Sequence, residues 1–391
     1  MSSDIFSPKE KIISNIDRVL ELFETGITSP VLVEIDPSNA CNHGCYFCIS
    51  SYIHLPESKH LETYDRSVMS KDVLMSLCKD IVKMNVRAVN WTGGGEPTVN
   101  SNLKYAIEYL GKHNVKMGMF TNGTLLDRFN LFETLVNNMS WVRFSIDAGN
   151  EKTYNTIRRP SKNQTWSKMI NNLEKLISVN NKIDIGLGFV ITPDTYTGII
   201  DFANKFKDYD VKYCQYKPEI VNRERENGVQ RKKEFWQKIE PLLKEAKNIL
   251  GSKFQINDYK LEDLEVNTEN YGRTYKKCLG SQISPAIGAD GEVYVCTNHR
   301  GYKQYSYGNL NQNSFDIIWN NIQVKNNIMH KIDNVEKFKN CTQLCKPHES
   351  NKAIWNLYEE YNNSVDKEMF KNNLYKQKLN IDNGIIHKEF I

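Results

Sequence analysis

The sequence of 391 residues predicts an α/β protein: a partial (β/α)6 barrel followed by a smaller, cysteine-bearing α+β domain. Three observations predict it. Short β-rich runs alternate six times with longer amphipathic runs between residues 31 and 218, the pattern of parallel strands with helices outside. Six repeats fall short of the eight that close a TIM barrel, so the barrel is expected to stay open. Chemically unusual residues cluster just after the strand-like runs, where the ligand-binding edge of a parallel sheet lies.

Residues 1–30 read as a helical extension and 31–220 as the barrel. Strands are expected at 31–36, 88–91, 116–120, 141–146, 183–191 and 211–216, short runs carrying β-branched or aromatic residues. Helices are expected at 71–84 behind a Ser70 cap, then at 102–113, 125–138, 165–179 and 196–207. The polar segments 36–41, 92–96, 121–123 and 147–149 each follow a strand. A charge-rich passage at 222–233 opens a helical linker, 221–270, with its helix at 235–250. The second domain, 271–350, holds a strand at 291–296, and a helical tail with an amphipathic stretch at 353–361 completes the chain at 351–391.

Lys and Arg number 51 against 47 Asp and Glu, a net charge of +4, so no nucleic-acid partner is expected. No run approaches the length of a membrane span, and the first residues lack the pattern of a secretory signal. A cytoplasmic location follows as an expectation. In such a reducing compartment nine cysteines point to metal binding or catalysis rather than disulfides.

Cys41, Cys45 and Cys48 place three thiols in one loop. Three thiolates can hold three corners of an iron-sulfur cube and leave one iron open to a ligand. A zinc site completed by His43, or simple buried thiols, would also use these residues. Cys278, Cys296, Cys341 and Cys345 form a second set of four, enough to ligate a cluster or a zinc ion completely. Cys78 reads as a helix core residue. Cys214, in the sixth strand, reads either as a buried small hydrophobe or as a thiol beside the barrel mouth.

The CxxxCxxC loop, with Phe47 before its last cysteine, resembles the cluster motif of the radical S-adenosylmethionine (SAM) superfamily. Gly93, Gly94, Gly95 and Glu96 after the second strand resemble that superfamily's GGE motif, and Ser145, Asp147 and Arg158 resemble its determinants for the methionine carboxylate and ribose. Spacing alone does not decide between Arg158 and Arg159. Glycines let backbone approach a ligand closely, Glu96 suits an ammonium, and a guanidinium fork suits a carboxylate. The four later cysteines resemble a shortened SPASM extension, the twitch domain.

The resemblance implies two [4Fe-4S] clusters, one SAM-binding and one auxiliary, with SAM as cosubstrate and a flavodoxin- or ferredoxin-type reductant. It implies reductive cleavage of SAM to methionine and a 5′-deoxyadenosyl radical that removes a substrate hydrogen. Cys214 would be the hydrogen donor of an epimerase. The short N-terminal stretch and the single four-thiol set favour a small polar substrate, a sugar, cyclitol or nucleotide-sugar, undergoing oxidation or epimerisation. A peptide-modifying maturase is the alternative. From another class, an iron-sulfur electron carrier or a zinc-binding module needs no GGE or Ser-x-Asp motif.

Overall fold

The computed structural model describes residues 8–50, 66–163, 165–219, 233–256, 273–333, 341, 345–382 and 384–391. Two short helices open the described chain, α1 (Pro8–Ser14) and α2 (Ile16–Thr25). The barrel then alternates β1 (Leu32–Ile35), α3 (Lys71–Lys83), β2 (Ala88–Trp91), α4 (Leu103–Lys112), β3 (Lys116–Thr121), α5 (Phe132–Asn138) and β4 (Trp141–Ser145). It continues through α6 (Glu151–Arg158), α7 (Trp166–Val179), β5 (Asp184–Ile191), α8 (Ile199–Phe206), β6 (Tyr213–Pro218), α9 (Lys233–Leu250) and β7 (Phe254–Ile256). Ser70 caps α3 as expected, accepting from Val73 N, and Thr165 starts α7 by accepting from Lys168 N; α6, a helix the sequence reading did not expect, is capped by Asn150, which accepts from Thr153 N.

β1 to β7 lie parallel in sequence order within one ten-stranded sheet. β8 (Ala286–Ile287) joins β1 in parallel, and β9 (Glu292–Tyr294) and β10 (Ser306–Asn309) extend that edge antiparallel. The helices α10 (Phe315–Trp319), α11 (Ile322–Asp333), α12 (His348–Asn363) and α13 (Lys367–Ile381) follow. Among the described residues no helix is long and apolar enough to cross a membrane.

The outward faces of the strands and the helices form the main core, with Trp91, Phe144, Phe189, Phe202, Phe206 and Tyr216 fully buried. A second, smaller cluster lies inside the barrel, where Leu32, Ala88 and Trp141 meet Phe390 and Ile391 of the tail. Phe390 packs edge-on to Trp141 with centroids 5.5 Å apart, Lys11 Nζ donates to Phe390 O at 2.9 Å, and His387 Nε2 lies 2.9 Å from Asp184 Oδ2. The tail thus plugs the base of the barrel.

Three sequence expectations need correction here. Of the helix expected at 125–138 only α5, Phe132–Asn138, forms, and the residues before it run in turns. Within 221–270, expected as helical linker, residues 254–256 form strand β7 and lengthen the sheet; three residues are too few for any periodic signal. Residues 222–232 and 257–270 lie outside the described residues. The tail is not helical throughout, because α13 ends at Ile381 and the apolar residues after Gly384 turn back into the barrel.

Candidate active site

The mouth of the barrel is assembled from loops that hold one another by their backbones. Gly95 N donates to Ser38 O at 3.0 Å, and Glu96 N donates to Ala40 O at 3.0 Å, which ties the glycine loop to the chain entering the first cysteine loop. A Cβ on Gly95 would lie 2.2 Å from Ala40 O, so only glycine permits this approach. Gly94 is buried in the same turn.

From the other side, the segment after α6 staples the cysteine loop. Gly44 N donates to Arg159 O at 3.0 Å, Ser161 N donates to Asn42 O at 2.9 Å, and His43 pairs with Pro160. The chain makes this return through Arg159, whose φ of 44° is left-handed and strained for a side-chain-bearing residue. Sequence reading missed a third brace, in which Asn122 Nδ2 donates to Asn42 Oδ1 at 2.7 Å and Asn42 Nδ2 donates to Thr124 Oγ1 at 2.8 Å.

Cys41, Cys45 and Cys48 thereby share one half-buried pocket. Burial drives the Cys41 thiol well above its ordinary pKa, with the charges of Glu96, Cys45 and Cys48 adding to the rise. Cys45 is pushed up to about 12 by burial, against the pull of Arg158. Three thiols whose thiolate forms would repel one another are a donor set whose charge iron would neutralise, so the pocket fits an iron-sulfur cluster. Among the described residues, no three His, Cys, Asp or Glu side chains close on a single metal ion. His43 is held neutral, pushed down to about 3 by burial and Arg158, and its ring packs edge-on to Tyr154 with centroids 5.8 Å apart. Phe47 is buried against Tyr46, whose hydroxyl bonds Thr192 Oγ1 at 2.9 Å.

Glu96 is buried, and its Oε1 accepts from Thr98 N, Thr98 Oγ1 and Thr121 Oγ1 at 3.2, 2.6 and 2.6 Å, while Oε2 accepts from Asn122 N at 2.7 Å. Burial pushes its pKa up, and these four donors oppose the rise. A carboxylate offers about four lone-pair sites, so only Oε2 has capacity for a further donor. Ser145 ends β4 with part of its surface accessible. Asp147 and Arg158 are both buried and paired at 2.8 Å, whereas Arg159 is exposed with its guanidinium 5.7 Å from the Tyr46 ring.

Cys278, Cys296, Cys341 and Cys345 also converge. Burial raises the Cys345 thiol far above its usual range, and Cys341, Cys278 and Cys296 all add to the effect. Asn351 Nδ2 donates to Cys278 Sγ at 3.2 Å while its Oδ1 accepts from Gly280 N at 2.6 Å. His348 is buried at the start of α12 and bonds Tyr275 Oη through Nδ1 at 3.1 Å. Next to the thiols, Lys346 pairs with Glu34 of β1, and Arg300 pairs with Asp36 at 2.9 Å. Both acids are buried, so these pairs join the second thiol set to the first barrel strand. An acid inside an apolar strand was the available signal.

Cys214 is not brought to this mouth. It is fully buried near the start of β6, paired in register with Phe254, on the same strand face as Tyr216. Tyr216 Oη donates to Ile199 O of α8, so this face looks toward the outer helices, while Gln215 faces the barrel interior and meets Arg143. Strand alternation therefore removes the thiol from any substrate in the mouth.

A profile of the radical SAM superfamily matches residues 35–205, and one of the SPASM iron-sulfur cluster-binding domain matches 278–346, together more than half of the chain. Mycofactocin maturase MftC of Mycolicibacterium smegmatis is 26% identical over 195 residues, 49% of this chain and 45% of that protein. That match thus spans under half of the relative's length. MftC of Mycobacterium ulcerans is 22% identical over 313 residues, 78% of this chain and 79% of that protein. Among solved structures, Streptococcus suis SuiB bound to precursor peptide SuiA aligns with a TM-score of 0.60 at 14% identity, over 85% of this chain and 73% of that one. Native anSMEcpe with bound AdoMet aligns at 0.57 and 20% identity, over 92% and 100%. The open parallel barrel, the three-thiol loop and the two matching profiles make this chain a member of the radical SAM superfamily with a C-terminal SPASM-type iron-sulfur cluster-binding domain.

Proposed function

We propose that this enzyme modifies a peptide, as a maturase. The observation that carries this reading is the match to a mycofactocin maturase over 78% of the chain, a length that takes in more than the barrel. The small polar substrate expected from the short N-terminal stretch and the cysteine count is the weaker reading. That expectation took a single four-thiol set to favour sugar-oxidising relatives, yet the SPASM profile matches the set from Cys278 to Lys346. Whether the modification is an oxidation or an epimerisation belongs to the same test.

In this reading Cys41, Cys45 and Cys48 hold the first cluster, and Cys278, Cys296, Cys341 and Cys345 the second. When bound, the first cluster supplies the electron that cleaves SAM. The chain's own groups then position the cosubstrate. Backbone of Gly93, Gly94 and Gly95, with the remaining lone pair of Glu96 Oε2, suits its ammonium; Ser145 and Asp147 suit its hydroxyls; and Arg158, oriented by Asp147, suits its carboxylate.

Anaerobically reconstituted enzyme with SAM and dithionite should release 5′-deoxyadenosine. Peptides encoded beside its gene should then lose two hydrogens on oxidation, or take up solvent deuterium at an inverted carbon on epimerisation, only when SAM and reductant are both present. Stimulation of SAM cleavage by sugars or cyclitols, with every such peptide left unchanged, would overturn the peptide reading.

A further inference from the structure

Arg143 stands on the inner face of β4, in register with Phe120 of β3 and Gly186 of β5. Its Nη1 donates to the neutral amide oxygen of Gln215, its guanidinium lies 4.2 Å from the Phe120 ring centroid, and its Nε is buried with no hydrogen-bond partner. No carboxylate among the described residues pairs with it. Asp147 is engaged by Arg158, and Glu34 by Lys346 and Asn90. Burial lowers its pKa from the ordinary value, and Tyr213, Asp147 and Glu34 offset that only in part. Yet the side chain keeps some accessible surface.

The accessible side faces the mouth, because the barrel below is filled. The Trp141 ring lies over Gly118 and the Tyr213 ring over Gly186, where a Cβ would come within 2.1 and 2.2 Å of them, and Phe390 closes the base. Above Arg143, Ser145 follows on the same face, about 7 Å nearer the mouth. Its register partner is Gly188, where a Cβ would lie 3.4 Å from Arg143 Nε, so a side chain at this position would press against the guanidinium.

We propose that Arg143 is a substrate-binding residue that anchors a carboxylate at the bottom of the mouth. This rests on the peptide reading for the source of that carboxylate, either an Asp or Glu side chain or a carboxyl terminus. A planar guanidinium fork matches a planar monoanion, and a single charge against an aromatic floor suits a carboxylate better than a dianionic phosphate. Anchored there, the neighbouring carbons of the substrate rise toward Ser145.

The test uses reconstituted, SAM-loaded enzyme and ligand-observed NMR titration of four probes: N-acetyl-Ala-Glu-Ala-amide, N-acetyl-Ala-Ala-Ala with a free carboxyl, the neutral N-acetyl-Ala-Gln-Ala-amide, and N-acetylglutamate. One acidic tripeptide should bind at least about tenfold tighter than the neutral one, and which one identifies the source. Arg143→Gln should abolish the preference and Arg143→Lys should retain part of it. Gly188→Leu, which leaves Arg143 intact but fills the space beside it, should weaken the acidic probe selectively. Equal binding of acidic and neutral probes, or a preference that survives Arg143→Gln, overturns the assignment. Arg143-dependent binding of N-acetylglutamate without binding of either acidic tripeptide keeps the anchor and overturns the peptide reading instead.

Discussion

Arg158 at the end of α6 donates to Asp147 just beyond β4 at 2.8 Å, and Asp147 holds a left-handed backbone with φ 61° while its other oxygen accepts from Val190 N at 2.6 Å. Three elements therefore fix where the guanidinium sits. Asp147→Asn should leave a buried cation without its counter-charge and cost about 3–5 kcal/mol of stability in denaturant unfolding. Arg158→Met added to Asp147→Asn should recover part of that stability without recovering SAM affinity. Full recovery of SAM binding in the double variant would reduce Arg158 to a structural residue.

The two thiol sets should be separable by iron content. With both clusters in place the chain should carry about eight irons, and Cys41→Ala with Cys45→Ala and Cys48→Ala should leave about four while ending 5′-deoxyadenosine release. Cys341→Ala with Cys345→Ala should also lower the count toward about four, yet spare some uncoupled SAM cleavage. One zinc per chain in place of the second set of irons would make that domain structural.

Cys214→Ala should leave both 5′-deoxyadenosine and product formation at wild-type rates, because the thiol faces the helical layer. Its cost is a small cavity, about 1 kcal/mol. A variant that still cleaves SAM but loses product specifically would return Cys214 to the reaction.

Lys325 of α11 is buried with its Nζ 3.5 Å from the Trp319 ring centroid and without a hydrogen-bond partner. Burial pushes its pKa down to about 7, although the ring face favours the cation. With the folded pKa below the unfolded one, the penalty of the buried charge is complete below pH 7 and fades as pH rises toward the unfolded value. Lys325→Met should therefore stabilise the protein most at pH 6, the gain shrinking by about 1 kcal/mol per pH unit above 7. Urea midpoints at pH 6 and pH 9 check this; a gain independent of pH means the cation survives over Trp319.

The barrel was legible because buried parallel strands leave apolar runs that stop abruptly at polar loops, as Ala88–Trp91 does before the glycines. The cysteine loop and Gly95 carried chemistry that few other roles require. The two-residue β8, by contrast, exists only because β1 offers it an edge, a tertiary cause with no local signature. Asn42 and Asn122 looked like ordinary loop residues, since their bond spans 80 positions of sequence. Arg143 and Cys214 could have been assigned by parity: in an alternating strand, a charge marks the inner face and an apolar neighbour of Gln215 the outer one.

The plug at the base of the barrel sets an order on biosynthesis. Asp184 is translated 203 residues before His387, its partner in closing the base. At about 5–20 residues per second, that separation leaves Asp184 without its partner for roughly 10–40 s, and Leu32, Ala88 and Trp141, translated earlier, wait longer for Phe390. The barrel is thus an unfinished vessel during most of its own synthesis, its floor laid after its walls, and this interval is when a nascent chain of this protein has most need of a chaperone.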